Sequence, residues 1–475
     1  MMTSSRRSFL KAFLAGAGFS TMAGAPLFRA VAAEPAKSDE FFLLIHALGG
    51  WDVTLSLDPR WEEKGLIDPA STLNTTFGTI RKWQNDAAKL SDGGYSFQVI
   101  RPNGTPFTFG PAIGNLTDHA SRICVVNGLA TNTVSHPDGQ TFAVTGRHLN
   151  GGRPNQSSID VCCANEFGTE QLLPVVSVQY PSYLLGAQMD ARARPLRIAT
   201  IGTMAQSLAR ATLYDTQAER NAVNAVLTEE ANDLAAISND PSALQGFGSQ
   251  YGALQNLLTN TNLQNVFSES ALVAAHPELN ISTLRYQRAA AVNAAFALEA
   301  FRNNLARCVS FIFNGFDTHA GNYTNQAATQ QETFDTLAVL LAQLDQIPHP
   351  TRTGHKLSEH THILVTSDFC RTPQINLQRG RDHYPNGSAL IISPKFKGKT
   401  LYGKTDPLQL LPANAGTFLD GPRPVAPPDL LATFVSAFGV DPQKYFREGK
   451  SSRSCSREAF HRHFGGADSC GVLGR

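Results

Sequence analysis

The sequence lacks a charge excess of either sign, because 40 Lys and Arg residues are balanced by 39 Asp and Glu residues. The formal net charge at pH 7 is only +1. A near-neutral chain has no global basic field for nucleic acid and no acidic bias that indicates disorder. We therefore expect no nucleic-acid partner, and other ligands must be argued from local groups of residues.

Cysteine is scarce as well, with seven residues and no C-x-x-C spacing. This pattern indicates neither a zinc ribbon nor a thioredoxin-type redox site. In an oxidising compartment, Cys455 and Cys470 are the local pair that we expect to form a disulfide. Cys124, Cys308 and Cys370 lie in or beside apolar runs, where we expect small buried residues rather than reactive thiols.

Two further signals are missing from the chain. There is no dinucleotide fingerprint, so an oxidoreductase with an organic cofactor ranks last among the function classes. Beyond the N-terminal leader, no apolar segment reaches membrane-span length. The remaining chain of about 440 residues is long enough for one large α/β domain or two smaller ones.

The N-terminus spells S-R-R-S-F-L-K at residues 5–11, a complete twin-arginine export consensus. An apolar, glycine-containing stretch follows and ends at Ala30-Val31-Ala32, a small-x-small processing site. A membrane-spanning anchor is the alternative, but the short stretch and the processing site favour removal. We expect residues 1–33 to be a signal peptide read by the twin-arginine translocation machinery. The mature protein is then periplasmic or secreted, with no stable membrane span.

Short apolar runs alternate with helical stretches, and polar residues follow each run. The runs occupy residues 41–45, 122–126, 308–313 and 363–366. Unalternating runs are typical of parallel strands covered on both faces. We expect an α/β fold in which helices sandwich a mostly parallel sheet. Ligands of such sheets bind beyond the carboxyl ends of the strands, so the polar residues there are expected to form one site.

Helical spacing predicts helices at residues 284–307, 325–346 and 428–438. We expect the main domain to span residues 38–445, with a loosely ordered tail at 446–475. Within the domain, residues 205–283 are predicted to be a helical insertion, because residues 205–269 are rich in Ala, Leu, Gln and Asn. It forms either a cap over the site or a plain peripheral bundle.

Acidic and imidazole side chains follow the first and third runs. Asp52 comes after Gly49-Gly50, where its carboxylate would point into a cleft or cap the next turn. Asp317 and His319 lie two positions apart, so extended backbone would direct both toward one ion. A surface turn is the alternative for that pair.

The fourth run is followed by Asp368 and then by Arg371. An Arg beside metal ligands suits two parallel hydrogen bonds to a phosphate or sulfate, although a structural Asp–Arg pair is a common alternative. Asp382 and His383 add a further carboxylate and imidazole to the candidate metal ligands.

Thr133, Ser135 and His136 precede a predicted helix that ends at Thr145-Gly146. Hydroxyls there act as caps by default, but the same position suits a group that faces a metal or attacks a substrate. The remaining histidines have no convergent partners in the sequence and are assigned no role; they include His46, His148, His355, His360 and His362.

Taken in order, the motifs G-G-W-D, S-H, G-F-D-T-H, T-S-D-F-C-R-T and G-R-D-H resemble the bacterial family called domain of unknown function 1501. That family in turn is similar to the alkaline phosphatase and sulfatase superfamily, which implies an alkaline phosphatase-like fold. The resemblance implies the following roles: Asp52 and Asp368 as ligands of one metal, Asp317, His319 and His383 as ligands of another, and Ser135 or His136 as nucleophile. One departure is Phe369, which stands where phosphatases usually have a ligand His.

These observations lead us to expect a metal-dependent hydrolase of phosphate or sulfate esters that uses Zn, Mn, Ca or Mg. The ions would polarise the ester, and Arg371 would stabilise the charge that develops in the transition state. The alternative is a non-catalytic periplasmic or cell-surface binding protein on the same scaffold, since fold resemblance does not transfer function.

Overall fold

The computed structural model describes residues 39–60, 66–68, 99–171, 173–186, 189–203, 222, 225–226, 268–415, 417–418 and 421–446. The predicted leader, most of the predicted helical insertion and nearly all of the predicted tail lie outside these residues. So does the predicted Cys455–Cys470 disulfide. Those expectations stay predictions.

An eight-stranded mixed sheet organises the described chain. In chain order the strands are β1 (Phe41–Ala47), β2 (Ile123–Asn127), β3 (Leu173–Val178), β4 (Leu196–Ile198), β5 (Ala306–Phe313), β6 (Thr361–Ser367), the short β7 (Cys370–Arg371) and β8 (His383–Tyr384), β9 (Ser388–Ile392) and β10 (Thr400–Tyr402). The spatial order is β10-β2-β9-β6-β1-β5-β3-β4, while β7 and β8 pair as a separate hairpin. A second small hairpin joins β11 (Thr417–Phe418) and β12 (Gly421–Pro422).

Most neighbouring strands of the large sheet are parallel. The exception is β9, which is antiparallel to β2 and β6. The four predicted runs correspond to β1, β2, β5 and β6, so the prediction of an α/β fold with a mostly parallel sheet is confirmed. The antiparallel strand was not predicted.

Helices cover both faces of the sheet. They are α1 (His136–Thr145), α2 (Ile159–Phe167), α3 (Glu269–Ala275), α4 (Arg288–Arg302), α5 (Asn322–Gln346) and α6 (Pro427–Ser436), with 3-10 turns at Val53–Leu55, Pro111–Arg122, Ala191–Ala193, Pro277–Leu279, Ile281–Thr283, Leu357–Glu359 and Pro442–Lys444. None of the described helices is both long and apolar enough to cross a membrane.

The side chains of β1 show how the two layers form, because successive residues point to opposite faces. Phe41 and Leu43 belong to the apolar core that contains α4 and α5. Phe42 and Leu44 belong to the core that contains α2 and α6. Every residue of β1 is buried, which explains its unalternating sequence.

The helix predicted at 284–307 is shorter in the structure and spans Arg288–Arg302. Before it, the Glu332 carboxylate accepts hydrogen bonds from the backbone N–H groups of residues 285–287, which holds them in a turn. After it, Asn304 has a φ of 51°, a left-handed conformation that ends a helix.

The predicted role of the core cysteines is confirmed. Cys124, Cys308 and Cys370 are buried free thiols. Burial raises the pKa of Cys124 to about 12, so its thiol stays protonated and unreactive at neutral pH.

Candidate metal centre

The candidate site lies where β1, β5 and β6 end. Ala47 pairs in register with Phe313 on one side and with Ser367 on the other, so the three following loops leave the sheet at one edge. Helix α1 packs onto this edge through Gly139, where an added Cβ would lie 2.7 Å from the carbonyl oxygen of Asp368. Close approach of α1 therefore requires the absence of a side chain at this position.

Three histidines surround one carboxylate oxygen at this edge. Asp317 Oδ1 lies 3.4 Å from His136 Nε2, 3.5 Å from His383 Nε2 and 3.2 Å from His319 Nε2. The Nε2 atoms of His319 and His383 are 2.9 Å apart. Ligand atoms of His136, Asp317 and His383 all lie within 4.8 Å of one another. We call His136, Asp317, His319 and His383 the imidazole cluster.

The nitrogen that faces away from the cluster is bonded to a fixed oxygen in each histidine. These Nδ1 contacts are His136 to Asp368 Oδ2 (2.6 Å), His319 to Asp382 Oδ1 (2.7 Å) and His383 to the Val134 carbonyl (2.7 Å). A carbonyl or an ionised carboxylate can only accept, so Nδ1 carries the proton in all three rings. When the rings are neutral, each Nε2 atom is therefore unprotonated, and its lone pair points into the cluster.

Converging lone pairs repel one another unless a cation lies between them. With zinc–nitrogen distances of about 2.0–2.1 Å, a tetrahedral site separates its ligand atoms by about 3.4 Å, close to the distances to Asp317 Oδ1. His136 Nε2 is buried and has no hydrogen-bond partner among the described residues. The nitrogen-rich donor set fits a borderline divalent ion such as Zn²⁺ better than Ca²⁺ or Mg²⁺, which prefer oxygen.

Asp368 lies behind His136 rather than inside the cluster. Its carboxylate is fully buried and also bonds His46 Nε2 (2.5 Å) and the Gly49 N–H (3.2 Å). Burial acts to raise the pKa of Asp368, but the hydrogen bonds to His136 and His46 outweigh it and lower the pKa to about 2. The ionised carboxylate therefore orients the His136 ring, as carboxylates behind metal-bound histidines do.

His46 was missed by the sequence reasoning. It lies on β1 and is fully buried, with Nδ1 placed 3.1 Å from Thr366 Oγ1. The available signal was an imidazole near the end of an otherwise apolar strand, since such a group must find polar partners on neighbouring strands.

The pKa values of His136 and His383 shift in opposite directions. The hydrogen bond to Asp368 raises the pKa of His136 against the effect of burial. Burial lowers the pKa of His383, and the nearby Arg371 charge acts in the same direction. His383 is therefore neutral and ready to act as a ligand at neutral pH, whereas a proton competes more strongly for His136.

Arg371 does not project freely toward a substrate. Its guanidinium is buried and donates to Asp317 Oδ1 (2.6 Å), to the carbonyls of Gly50 (2.9 Å) and Arg381 (3.0 Å), and to the Gly49 carbonyl. These partners occupy most of its five N–H groups. The structure thus favours the structural-pair alternative, with Asp317 as the partner.

Asp317 is held in place from two directions. Burial acts to raise its pKa, but the Arg371 hydrogen bond and charge lower it overall. Gly49 packs against its backbone with φ +112°, and an added Cβ would lie 2.5 Å from the Asp317 nitrogen. The glycine of the G-G-x-D motif therefore supports the cluster through backbone contact.

Asp52 takes the capping role. It is the N-cap residue of the Val53–Leu55 turn, and its Oδ1 accepts from the Thr54 N–H at 3.0 Å. Its carboxylate also pairs with Arg381 at 3.0 Å and accepts from Asn322 Nδ2 at 2.7 Å. These contacts satisfy both oxygens, and among the described residues neither Asp52 nor Asp368 belongs to a group of three potential ligands that could hold an ion.

The other predicted residues lie around the imidazole cluster. Asp382 orients His319, as described above. Ser135 is the exposed N-cap residue of α1, and its side chain makes no capping hydrogen bond. The Phe369 ring packs 4.9 Å from the His136 ring and 4.6 Å from the His383 ring, measured between centroids. The Phe369 side chain thus forms an apolar wall beside the imidazole cluster.

Comparisons with known proteins give a family but no activity. A family model described as "Protein of unknown function (DUF1501)" matches residues 66–455, and no curated protein matches the chain. The structure of Ps i-CgsB in complex with k-i-k-neocarrahexaose is 11% identical, with 85% of this chain and 72% of that chain covered and a TM-score of 0.33. The PH0037 protein from Pyrococcus horikoshii is 11% identical, with 74% and 87% covered and a TM-score of 0.25. Both similarities are too low to carry an argument.

Proposed function

We propose that this chain, which belongs to the DUF1501 family, is a metal-dependent hydrolase of phosphate or sulfate esters. The observation that carries the proposal is the convergence of three imidazole lone pairs on Asp317 Oδ1. We assign His136, Asp317 and His383 as the principal ligands and His319 as the fourth.

Each supporting residue has a defined task in this proposal. Asp368 and Asp382 hold the rings of His136 and His319 so that Nε2 points inward. Arg371 holds Asp317 in place. A Zn²⁺-type ion, when bound, supplies Lewis acidity for hydrolysis.

Ser135 is the nucleophile that we propose. It lies between Val134, whose carbonyl orients His383, and His136, a ligand. Its exposed hydroxyl at the start of α1 is accessible to a substrate. His136 is assigned as a ligand instead, because its Nε2 faces Asp317.

The charges near the cluster limit how a substrate is recognised. One divalent cation and Arg371 contribute three positive charges, and Asp317, Asp368 and Asp382 contribute three negative ones, so the formal sum is zero. An anionic ester is therefore held through direct contact with the ion rather than through a surplus of positive potential.

The finer fold assignment and the export route belong to the same proposal. A mostly parallel sheet with the site at its strand ends supports an alkaline phosphatase-like fold. The S-R-R-S-F-L-K motif supports export through the twin-arginine machinery to the periplasm or beyond. N-terminal sequencing of the exported protein tests the route, and we expect it to begin near Ala33 or Glu34.

A non-catalytic binding protein that retains the ion is the second candidate. The observation that favours it is that the Arg371 N–H groups already donate to backbone carbonyls and to Asp317. An active esterase would then have to stabilise transition-state charge with the ion alone.

An ester screen separates the two candidates. We would assay zinc- and manganese-loaded protein with aryl phosphates and sulfates, beside Ser135→Ala and His383→Ala variants. Hydrolysis that falls in both variants, with metal content reduced only in His383→Ala, supports the hydrolase. Stoichiometric metal with no hydrolysis of any ester would contradict it and favour the binding protein.

A further inference from the structure

A second group of histidines lies at the opposite edge of the sheet, where the chain enters β6. We propose that His355, Glu359 and His360 form a second divalent-cation site. Strand β6 contains seven residues with a rise of about 3.3 Å each. The two groups are therefore separated by about 20 Å and can be tested independently.

The ligand atoms of this group are already close together. His355 Nδ1 lies 2.8 Å from Glu359 Oε2 and 3.2 Å from His360 Nε2. One ligand atom from each residue lies within 4.8 Å of the others. Two imidazoles and one carboxylate form the donor set of many zinc sites, in which a further position stays open.

Local structure fixes two of the three side chains. Glu359 Oε1 accepts from the Lys356 N–H at 2.8 Å, which leaves Oε2 directed at His355. His360 is 7% exposed, and its Nδ1 has no hydrogen-bond partner among the described residues. That Nδ1 lies 3.5 Å from Glu40 Oε2, a carboxylate that stabilises a proton on Nδ1 and so leaves Nε2 free as a ligand.

The ring nitrogens of the neighbouring histidines are not available to an ion. His362 bonds Ser393 through Nδ1 and Glu40 through Nε2. His349 contacts the Asp39 carbonyl through Nε2, and its Nδ1 accepts from backbone N–H groups. Both rings are satisfied by the chain, so we assign them structural roles. In contrast, His355 Nδ1 and His360 Nε2 face each other at 3.2 Å, with the Glu359 carboxylate beside them.

Access to the site is open on one side. The side chains of His355 and Glu359 are 44% and 48% exposed, so an ion can enter from solvent. Bound there, it would connect His355, which precedes the Leu357–Glu359 turn, to His360, the residue before β6. The donor chemistry predicts Zn²⁺ or a similar borderline ion rather than Ca²⁺.

Equilibrium dialysis of the full chain against buffered Zn²⁺, followed by elemental analysis, tests this site. We would compare the wild type with a His355→Ala, Glu359→Gln variant and with Glu278→Gln, an exposed-carboxylate control. We expect the double variant to bind about one zinc fewer per chain than the wild type and than the control. Equal zinc content in all three proteins would overturn the proposal.

A chemical footprint gives a second readout that needs no loss of a ligand. Diethyl pyrocarbonate modifies accessible imidazoles, and mass spectrometry reports the modification of His355. We expect Zn²⁺ to reduce modification of His355 in the wild type and in Glu278→Gln, but not in Glu359→Gln. Modification that is unchanged by zinc in the wild type would overturn the site.

Discussion

Two aspartate–arginine pairs lie near the carboxyl edge of the sheet, and they have different consequences. In the Asp52–Arg381 pair both side chains are fully buried. In the Asp317–Arg371 pair the arginine is buried, but the Asp317 side chain is 50% exposed. Both aspartates follow a buried strand, so their sequence contexts are alike.

The surroundings of each carboxylate explain the difference. Thr54, Asn322 and Arg381 satisfy the oxygens of Asp52, which leaves nothing for an ion. Asp317 Oδ1 meets Arg371 and also three imidazole nitrogens. A buried pair whose carboxylate is satisfied by the chain supports the fold, whereas a half-exposed carboxylate among lone pairs is available for binding.

Replacement of each aspartate by Asn tests this comparison most strongly. We expect Asp52→Asn to lower the free energy of unfolding by about 3 kcal/mol, because it removes one of the two buried carboxylates, Asp52 and Asp68, that neutralise the buried Arg381. Urea denaturation measures the loss. A destabilisation of Asp52→Asn below 1 kcal/mol would show that the buried pair does not support the fold.

The acid dependence of stability extends the comparison to Asp368. Its pKa is lowered from 3.8 to about 2, so its stabilisation is present above pH 3.8 and is lost as the pH falls toward 2. At about 1.4 kcal/mol per pKa unit this amounts to roughly 2–3 kcal/mol, with about half lost by pH 3. We expect the stability difference between metal-free wild type and Asp368→Asn to shrink between pH 5 and pH 3. A constant difference over that range would contradict the account.

Replacement of Asp382, the carboxylate bonded to His319, should affect metal binding more than folding stability. We expect Asp382→Asn to weaken Zn²⁺ affinity 10- to 100-fold, since partners behind metal-bound histidines have effects of this size. Titration against a zinc buffer measures the change, with the exposed Asp118→Asn as the matched control. Equal Zn²⁺ affinities for Asp382→Asn and Asp118→Asn would show that Asp382 does not support the metal site.

The smallest expected change in stability is that of Asp317→Asn. Solvent already screens the charge of the half-exposed Asp317 side chain, and three backbone carbonyls continue to accept from the Arg371 guanidinium, so we expect a loss of about 1 kcal/mol or less in urea denaturation. Zinc binding at the imidazole cluster should nevertheless fall strongly, because a charged ligand is gone. If Asp317→Asn were as unstable as Asp52→Asn, or if its zinc affinity were unchanged, the two aspartate–arginine pairs would not differ in the way proposed.

Much of the sheet could be predicted from the sequence, because buried parallel strands such as β1 and β5 have continuous apolar sequences. The antiparallel β9 could not, since a short apolar run carries no information about its direction. The limits of the helix at 288–302 depended on Glu332, which lies 45 to 47 residues away from the backbone that it holds.

The site was predicted in part for a similar reason. Asp317, His319 and His383 were recognisable because polar residues follow the strands at one edge. The Asp368 partner of His136 lies 232 positions away, and Arg381 lies 329 positions from Asp52. The local sequence therefore identified the candidate side chains. It could not show which carboxylates face the imidazole cluster and which are neutralised by a buried arginine.

We propose that the imidazole cluster binds a divalent ion, and the ligand roles assigned above depend on it. The most direct test is zinc analysis after equilibrium dialysis, in a chain that already carries His355→Ala and Glu359→Gln so that only the cluster is measured. We predict about one zinc per folded chain, and its loss when His136→Ala and His383→Ala are added while circular dichroism stays unchanged. A folded background protein without zinc, or zinc retained after both histidines are replaced, would contradict the claim.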